Sequence, residues 1–237
     1  APESNFAALP GVRGLKNLYF TITSSSPTPG TYSLVLDFSS LVISDWTKLK
    51  ILKRADETEA WKDVTQPPIN AVIENRQTDG VWGKFTISGL TSFSEFGGGE
   101  EADILIVTNT GDSEEPESLR RLIREAQAGD YIIFDPSLSG QEITLVNEEG
   151  TIVIDKNITI TGPEGGITIE ANGWCRVITT SPATNVRLEK LIIKNGDDFY
   201  ENLVGGILSQ GNITMVNCVV ENNSSSGSLA VGGILQY

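Results

Sequence analysis

The sequence predicts an all-β protein in which an N-terminal β-sandwich is followed by a right-handed parallel β-helix with a capping α-helix at its start. Three features lead to this prediction: a repeat of fixed period near the C-terminus, alternation of apolar and polar residues in the N-terminal part, and one amphipathic helical stretch between them. A fixed repeat is typical of solenoids, and period-2 alternation is typical of half-buried strands.

The repeat is the most specific of these features. The segment that starts at Asn185 returns at Asn212, 27 residues later, and a shorter relative starts at Asn157, 28 residues before Asn185. A second repeated element has the same period and consists of Gly205 and Gly206, which return as Gly232 and Gly233. Each period therefore predicts one turn of a stacked β-helix. About four turns are expected, in residues 131–154, 157–180, 185–208 and 212–235.

The N-terminal part has the pattern of antiparallel strands over residues 14–96. Leu34 and Leu36 alternate with polar neighbours, and so do Phe85 and Ile87. One apolar and one polar face are typical of a sheet in a β-sandwich. Three tryptophans are expected in its core, with an aromatic carbohydrate platform as the alternative: Trp46, Trp61 and Trp82. Residues 97–101 are predicted to form a flexible joint, so that the sandwich occupies 1–98 and the β-helix 99–237.

The capping helix is predicted near residues 116–128, because Pro116 suits a first helical turn and Gly129 suits a C-terminal cap. Its apolar stripe consists of Leu119, Leu122, Ile123 and Ala126. We expect this stripe to cover the apolar end of the first solenoid turn. The helix also carries a basic face that is expected to be solvated, made of Arg120, Arg121 and Arg124.

The composition excludes several classes of partner. The 237 residues carry a formal net charge of −14, so nucleic acid and anionic membranes are not expected partners. No apolar run reaches the roughly 18 residues of a transmembrane helix. Cys175 and Cys218 are expected to be small buried hydrophobes, with a disulfide as the alternative. The composition suits an exported bacterial surface protein, and we expect the native chain to continue past Tyr237.

Both parts resemble segments of bacterial surface proteins. Residues 89–96, GLTSFSEF, are similar to the end of a bacterial Ig-like β-sandwich module. Residues 107–113, 117–126 and 129–136 resemble the CSLREA-like entry segment of β-helix repeat proteins, although Glu117 stands where that family often has cysteine. The GGIL repeats are similar to those of polymorphic outer membrane proteins and adhesins. Over residues 104–237 this resemblance implies a pectin-lyase-like β-helix on a secreted, cell-surface or outer-membrane protein.

The most enzyme-like feature is the adjacent pair Asp197 and Asp198. Hydrolases of the pectin-lyase-like fold place paired aspartates in such a position, where one can activate water and the other can protonate a leaving group. Those enzymes also carry Gly-His-Gly and Arg-Ile-Lys elements, and this chain has neither and contains 0 histidines. A solvated turn is therefore the preferred interpretation of the pair.

Lyase chemistry would need Ca²⁺ and a basic residue instead. The weak candidates for calcium ligands are Asp197, Asp198 and Glu201. The basic residues expected nearby are Lys194 and Arg187. No other metal and no cofactor is expected. Asn195 and Asn222 occupy equivalent turns and are interpreted as members of a stabilising asparagine ladder rather than as ligand-binding residues.

The sequence thus favours a non-catalytic, secreted or surface-anchored adhesin-like module that binds glycan or host protein through its β-helix face. A polysaccharide lyase or hydrolase is the first alternative, because the fold also supports that chemistry. A purely structural stalk is the second.

Overall fold

A computed structural model of the chain describes residues 12–21, 30–37, 48–55, 59–74, 77–78, 81–82, 84–92, 95–113, 115–198, 203–225 and 231–236. The chain divides into two compact units, Ala1–Ala102 and Asp103–Tyr237. Strands dominate both units, and the described residues contain one α-helix.

The first unit consists of antiparallel strands. Their bounds are β1 Val12–Thr21, β2 Tyr32–Asp37, β3 Leu49–Arg54, β4 Lys62–Asp63, β5 Val72–Glu74, β6 Gln77–Thr78, β7 Val81–Trp82, β8 Lys84–Leu90 and β9 Glu95–Glu101. They form a four-stranded sheet in the order β1-β9-β3-β4, a three-stranded sheet in the order β2-β8-β5 and a two-stranded sheet of β6 and β7.

One apolar cluster draws on both larger sheets of this unit. Leu36, Phe85 and Ile87 come from the three-stranded sheet, whereas Ile51 and Phe96 come from the four-stranded sheet. The burial of alternate residues along β8 confirms the predicted period-2 pattern there. The β-sandwich architecture itself stays a prediction.

The tryptophans of this unit are described only in part. Trp61 is buried, with 2% of its surface exposed, as expected for a core residue. Trp46 lies outside the described residues, and so does the side chain of Trp82.

The prediction of a flexible joint at residues 97–101 is wrong. These residues belong to β9, where Gly97 pairs with Leu52 of β3 and with Tyr19 of β1. The glycines of β9 are buried, and the division between the two units falls after Ala102 rather than after residue 98. Pairing on both sides satisfies the backbone of a segment whose composition resembles a linker.

The second unit is a parallel solenoid. Its elements are β10 Ile104–Val107, α1 Leu119–Glu125, β11 Tyr131–Phe134, a 3₁₀ helix Pro136–Leu138, β12 Glu142–Thr144, β13 Ile152–Ile154, β14 Thr159–Thr161, β15 Ile167–Glu170, β16 Ile178–Thr180, β17 Asn185–Glu189, β18 Leu191–Lys194, β19 Asp197–Asp198, β20 Ile207–Ser209, β21 Asn212–Val216, β22 Val219–Glu221, β23 Ser224–Ser225 and β24 Ile234–Gln236.

The chain visits three parallel sheets in turn. Sheet I has the order β10-β11-β14-β17-β21, sheet II has the order β12-β15-β18-β22 and sheet III has the order β13-β16-β20-β24. A small additional sheet pairs β19 with β23. The result is a solenoid of about five turns rather than the four predicted, because β10 pairs in parallel with β11 and adds a rung to sheet I.

The predicted period sets the register of the stacked turns. Asn185 pairs with Asn212 in sheet I, and Ile207 pairs with Ile234 in sheet III, each 27 residues apart along the chain. Aliphatic side chains from all three sheets point inward and form one continuous core. Residues at the same position of successive turns therefore lie one above the other.

Helix α1 is shorter than predicted, and it begins and ends differently. Its N-cap is Ser118, whose side chain accepts a hydrogen bond from the amide of Arg121, and its C-cap is Ala126. Pro116 precedes the cap, and Gly129 lies beyond the helix at φ 99°. The predicted apolar stripe is buried in the solenoid core: Leu119, Leu122, Ile123 and Ala126.

The repeated glycines allow a direct test of the stacking. A Cβ atom added to Gly206 would overlap the carbonyl oxygen of Gly233 in the next turn, whereas one added to Gly233 would meet nothing. We expect Gly206→Ala to lower the free energy of unfolding by about 1–3 kcal/mol, because neighbouring backbone must move. The matched Gly233→Ala should change it by less than about 0.5 kcal/mol. Urea denaturation of both variants measures the difference, and equal effects would contradict this stacking.

Candidate functional site

Asp197 and Asp198 form β19, at the start of the long connection between β18 and β20. Successive side chains of a strand point to opposite sides, so these two carboxylates diverge. Asp198 is buried at 7% exposure, whereas Asp197 is partly exposed. Glycoside hydrolysis requires two carboxylates that flank one glycosidic bond, and adjacent aspartates whose side chains diverge do not have that arrangement.

Asp198 is held in a buried ion pair with Arg176. Its Oδ2 lies 2.6 Å from an Nη of Arg176 and accepts a hydrogen bond of 3.0 Å from the amide of Leu203. Arg176, which is 8% exposed, also donates to the carbonyl of Val204 at 2.8 Å and to Thr179 Oγ1 at 3.1 Å. The prediction of a solvated turn is therefore wrong for Asp198, because this carboxylate fixes the return of the chain toward β20.

Asp197 has a different environment. Its amide donates to the carbonyl of Cys175 at 3.0 Å, which stacks β19 on the connection that precedes β16. Its Oδ1 is buried and has no hydrogen-bond partner. The ion pair with Arg176 is made by Asp198, so we expect substitution of Asp197 to leave that pair in place.

The proposed calcium ligands do not assemble in the part of the chain that the structure describes. Glu201 lies outside the described residues. Within those residues, no group of three or more acidic or thiol side chains is placed to hold a metal ion. Asp198 Oδ2 already accepts bonds from Arg176 and Leu203, so that oxygen is occupied by protein donors.

Lys194 lies on the outer face of sheet II and is surrounded by carboxylates. Its Nζ is 2.6 Å from Glu142 Oε2, and this hydrogen bond raises the pKa of Lys194 above its ordinary value, with further contributions from Glu170 and Glu221. A lysine with a raised pKa stays protonated at neutral pH, so it is not a proton acceptor for lyase chemistry. Arg187, the other basic residue considered, pairs with Glu189.

An asparagine ladder is present at a different position from the one predicted. Asn195 and Asn222 share left-handed turn conformations, with φ 55° and 53°. However, the side-chain Nδ2 of Asn195 donates to Glu170 Oε2 at 2.6 Å. The ladder runs instead along the start of sheet I. The Asn185 amide N–H donates to Asn157 Oδ1 at 2.7 Å, and Asn212 Nδ2 donates to Asn185 Oδ1 at 3.0 Å.

The basic face of α1 is only partly solvated. Arg120 makes a two-bond ion pair with the buried Asp112, at 2.7 and 3.0 Å, and also donates to the carbonyls of Gly150 and Thr151. Asp112 in turn accepts from the amide of Val146 at 2.8 Å. The expectation of solvation is therefore wrong for Arg120, which ties the helix to the 146–151 connection.

The two cysteines are free and half-buried. Burial raises the pKa of the Cys175 thiol above its ordinary value, so the thiol form dominates at neutral pH. Cys175 is therefore not an activated thiolate. Cys218 donates to the carbonyl of Leu188 at 3.4 Å.

Three residues of the buried ion pairs and of the solenoid surface were not singled out from the sequence. Arg176 interrupts an apolar stretch, which is a signal for a buried charge that needs a partner. Asp112 follows a glycine in a turn, which gives no comparable signal. Trp174 follows Asn172-Gly173, a turn sequence that places the tryptophan in a loop, and it is 56% exposed.

Comparison of the chain with protein-family models, with curated proteins and with solved structures finds no match in any of the three. The resemblance to CSLREA-like β-helix proteins and to Ig-like modules therefore stays a proposal. In the part of the chain that the structure describes, no helix is long and apolar enough to cross a membrane.

The Arg176–Asp198 pair can be tested by substitution. We expect Arg176→Met to lower the free energy of unfolding by about 3–5 kcal/mol, because it leaves a buried carboxylate without its counter-charge. The matched control is Arg187→Met, which removes an arginine from an exposed pair of the same solenoid and should cost about 0–1 kcal/mol. Chemical denaturation measures both values. A cost for Arg176→Met no larger than that of the control would show that the pair does not hold the connection.

Proposed function

We propose that this chain is a non-catalytic binding module of a secreted or cell-surface bacterial protein, of the adhesin-like β-helix kind. The observation that carries this proposal is the environment of Asp198. In the enzyme-like carboxylate pair, Asp198 binds the buried Arg176 and the amide of Leu203. The side chain of Asp197 points in a different direction. A general acid must instead reach the leaving-group oxygen of a bound substrate.

The shape of the solenoid favours recognition of an extended partner. Parallel sheets of four and five strands present long outer faces on which side-chain positions recur at every turn. Such surfaces suit a glycan chain or the surface of a host protein. The net charge of −14 works against nucleic acid and anionic lipid as partners.

Two finer architectural features belong to this proposal. Helix α1 acts as the cap of a right-handed β-helix of pectin-lyase-like kind, which its burial in the solenoid core and the Arg120–Asp112 pair support. The first unit is an Ig-like β-sandwich module, which its shared apolar cluster supports. In this proposal the solenoid carries the binding surface.

A depolymerisation assay separates this proposal from the polysaccharide lyase or hydrolase. The chain is incubated with polygalacturonate, with and without millimolar CaCl₂, and both unsaturated and reducing ends are measured. We expect no product above the level of an Asp197→Asn variant, which keeps the Arg176–Asp198 pair and should fold normally. Product formed by the wild-type chain and lost in Asp197→Asn would contradict the proposal and identify a catalytic carboxylate.

A further inference from the structure

Trp174 differs from the other tryptophan whose side chain the structure describes. Trp61 is 2% exposed, whereas Trp174 is 56% exposed. Trp174 lies in the connection between β15 and β16, residues 171–177, at one corner of the solenoid. The corresponding connections are 145–151 in the preceding turn and the start of 195–206 in the following one. We call residues 145–151, 171–177 and 195–198 the corner surface.

The backbone around Trp174 is fixed by its own turn and by the next. The Trp174 amide donates to the carbonyl of Ala171 at 2.9 Å, and the Gly173 amide donates to the carbonyl of Asn195 at 2.6 Å. The carbonyl of Cys175 accepts from the amide of Asp197 at 3.0 Å. An indole offers a large flat apolar face and has only two side-chain torsions to order on binding, and here its backbone is already held in place.

The polar groups of the corner surface are of the kind that binds hydroxyl groups. Asn147 and Asn172 are exposed amides, and each can donate and accept hydrogen bonds. Glu148 and Glu149 are exposed carboxylates in the neighbouring connection. The nearby cations, Arg176 and Arg120, are largely buried and turned inward to Asp198 and Asp112. The accessible charge at this corner is therefore negative.

We infer that the corner surface binds a neutral oligosaccharide, with one pyranose ring stacked on the indole of Trp174 and its hydroxyl groups bonded to the adjacent amides and carboxylates. An aromatic platform beside side chains that donate and accept hydrogen bonds suits a sugar ring, which has apolar faces and hydroxyl groups along its edge. Acidic glycans such as uronates are disfavoured, because their carboxylates would face Glu148 and Glu149 without an accessible cation. This inference rests on the proposed role of the chain as a binding module.

The test uses the full chain and a panel of neutral oligosaccharides, with a polyuronate oligosaccharide as the acidic member. Binding is measured by titration calorimetry and by tryptophan fluorescence, and thermal unfolding checks that each variant folds. We expect a neutral member of the panel to bind. Trp174→Ala should raise its Kd by about tenfold or more, which corresponds to a loss of roughly 1.4 kcal/mol of aromatic contact. Trp174→Tyr, which keeps an aromatic face, should restore most of the affinity.

The control variant is Val153→Ala, which removes a 54% exposed apolar side chain from the outer face of sheet III. It should leave the Kd unchanged. Neutral-glycan binding that is the same in Trp174→Ala and in the wild type would overturn the inference and leave the proposed function standing. Binding of the polyuronate alone, or of no member of the panel, would overturn it as well. Cleavage of a panel member would instead overturn the proposed function.

Discussion

The stacking of turns in register is the constraint on which the rest of the solenoid depends. Each strand of sheets I to III pairs in parallel with the same strand of the next turn, so every turn must place its apolar side chains at the same positions. Ile152, Ile178 and Ile207 follow one another in this way along sheet III, and all three are buried. Burial of aliphatic side chains in one continuous core supplies most of the stability of such a fold, and the parallel hydrogen bonds fix its geometry. Gly206 shows how closely neighbouring turns approach, since no room remains for a methyl group.

Some backbone groups of the irregular connections lie outside this ladder, and two buried ion pairs bind them instead. Asp112 and Arg120 bind backbone groups of the 146–151 connection, and Arg176 and Asp198 bind those of Leu203 and Val204. In both cases the charged pair supplies hydrogen-bond donors and acceptors to backbone groups. In a purely apolar core these backbone groups would have no partners. This explains why Asp198 of β19 is buried against protein groups rather than exposed to solvent. It also leaves the outer surface of the corner, with Trp174, available for other contacts.

The features that the sequence predicted well are those that repeat or have a clear period. The 27-residue spacing places Asn185 beside Asn212, and the apolar stripe of α1 lies in the core. Features that depend on partners distant in the chain were not predictable. Residues 97–101 have a linker-like composition, and only pairing with β1 and β3 makes them a strand. At the site, the sequence shows Asp198 but not that Arg176 reaches it, because the path of the intervening connection decides that contact. For Trp174 the turn sequence Asn172-Gly173 indicates a loop, but the fraction of the side chain that is exposed depends on the folded corner.

In-register stacking can be measured most directly by disulfide cross-linking between neighbouring turns. In a background with Cys175→Ser and Cys218→Ser, cysteines replace Arg187 and Thr214, an exposed pair that sheet I places side by side. Their Cα atoms should be about 4.8 Å apart, within the range of a disulfide. The control replaces Arg187 and Val216, which the same register offsets by two residues to roughly 8 Å. The account predicts rapid oxidation of the first pair and none of the second, as mapped by peptide mass spectrometry. Cross-linking of the offset pair in preference to the first would contradict it.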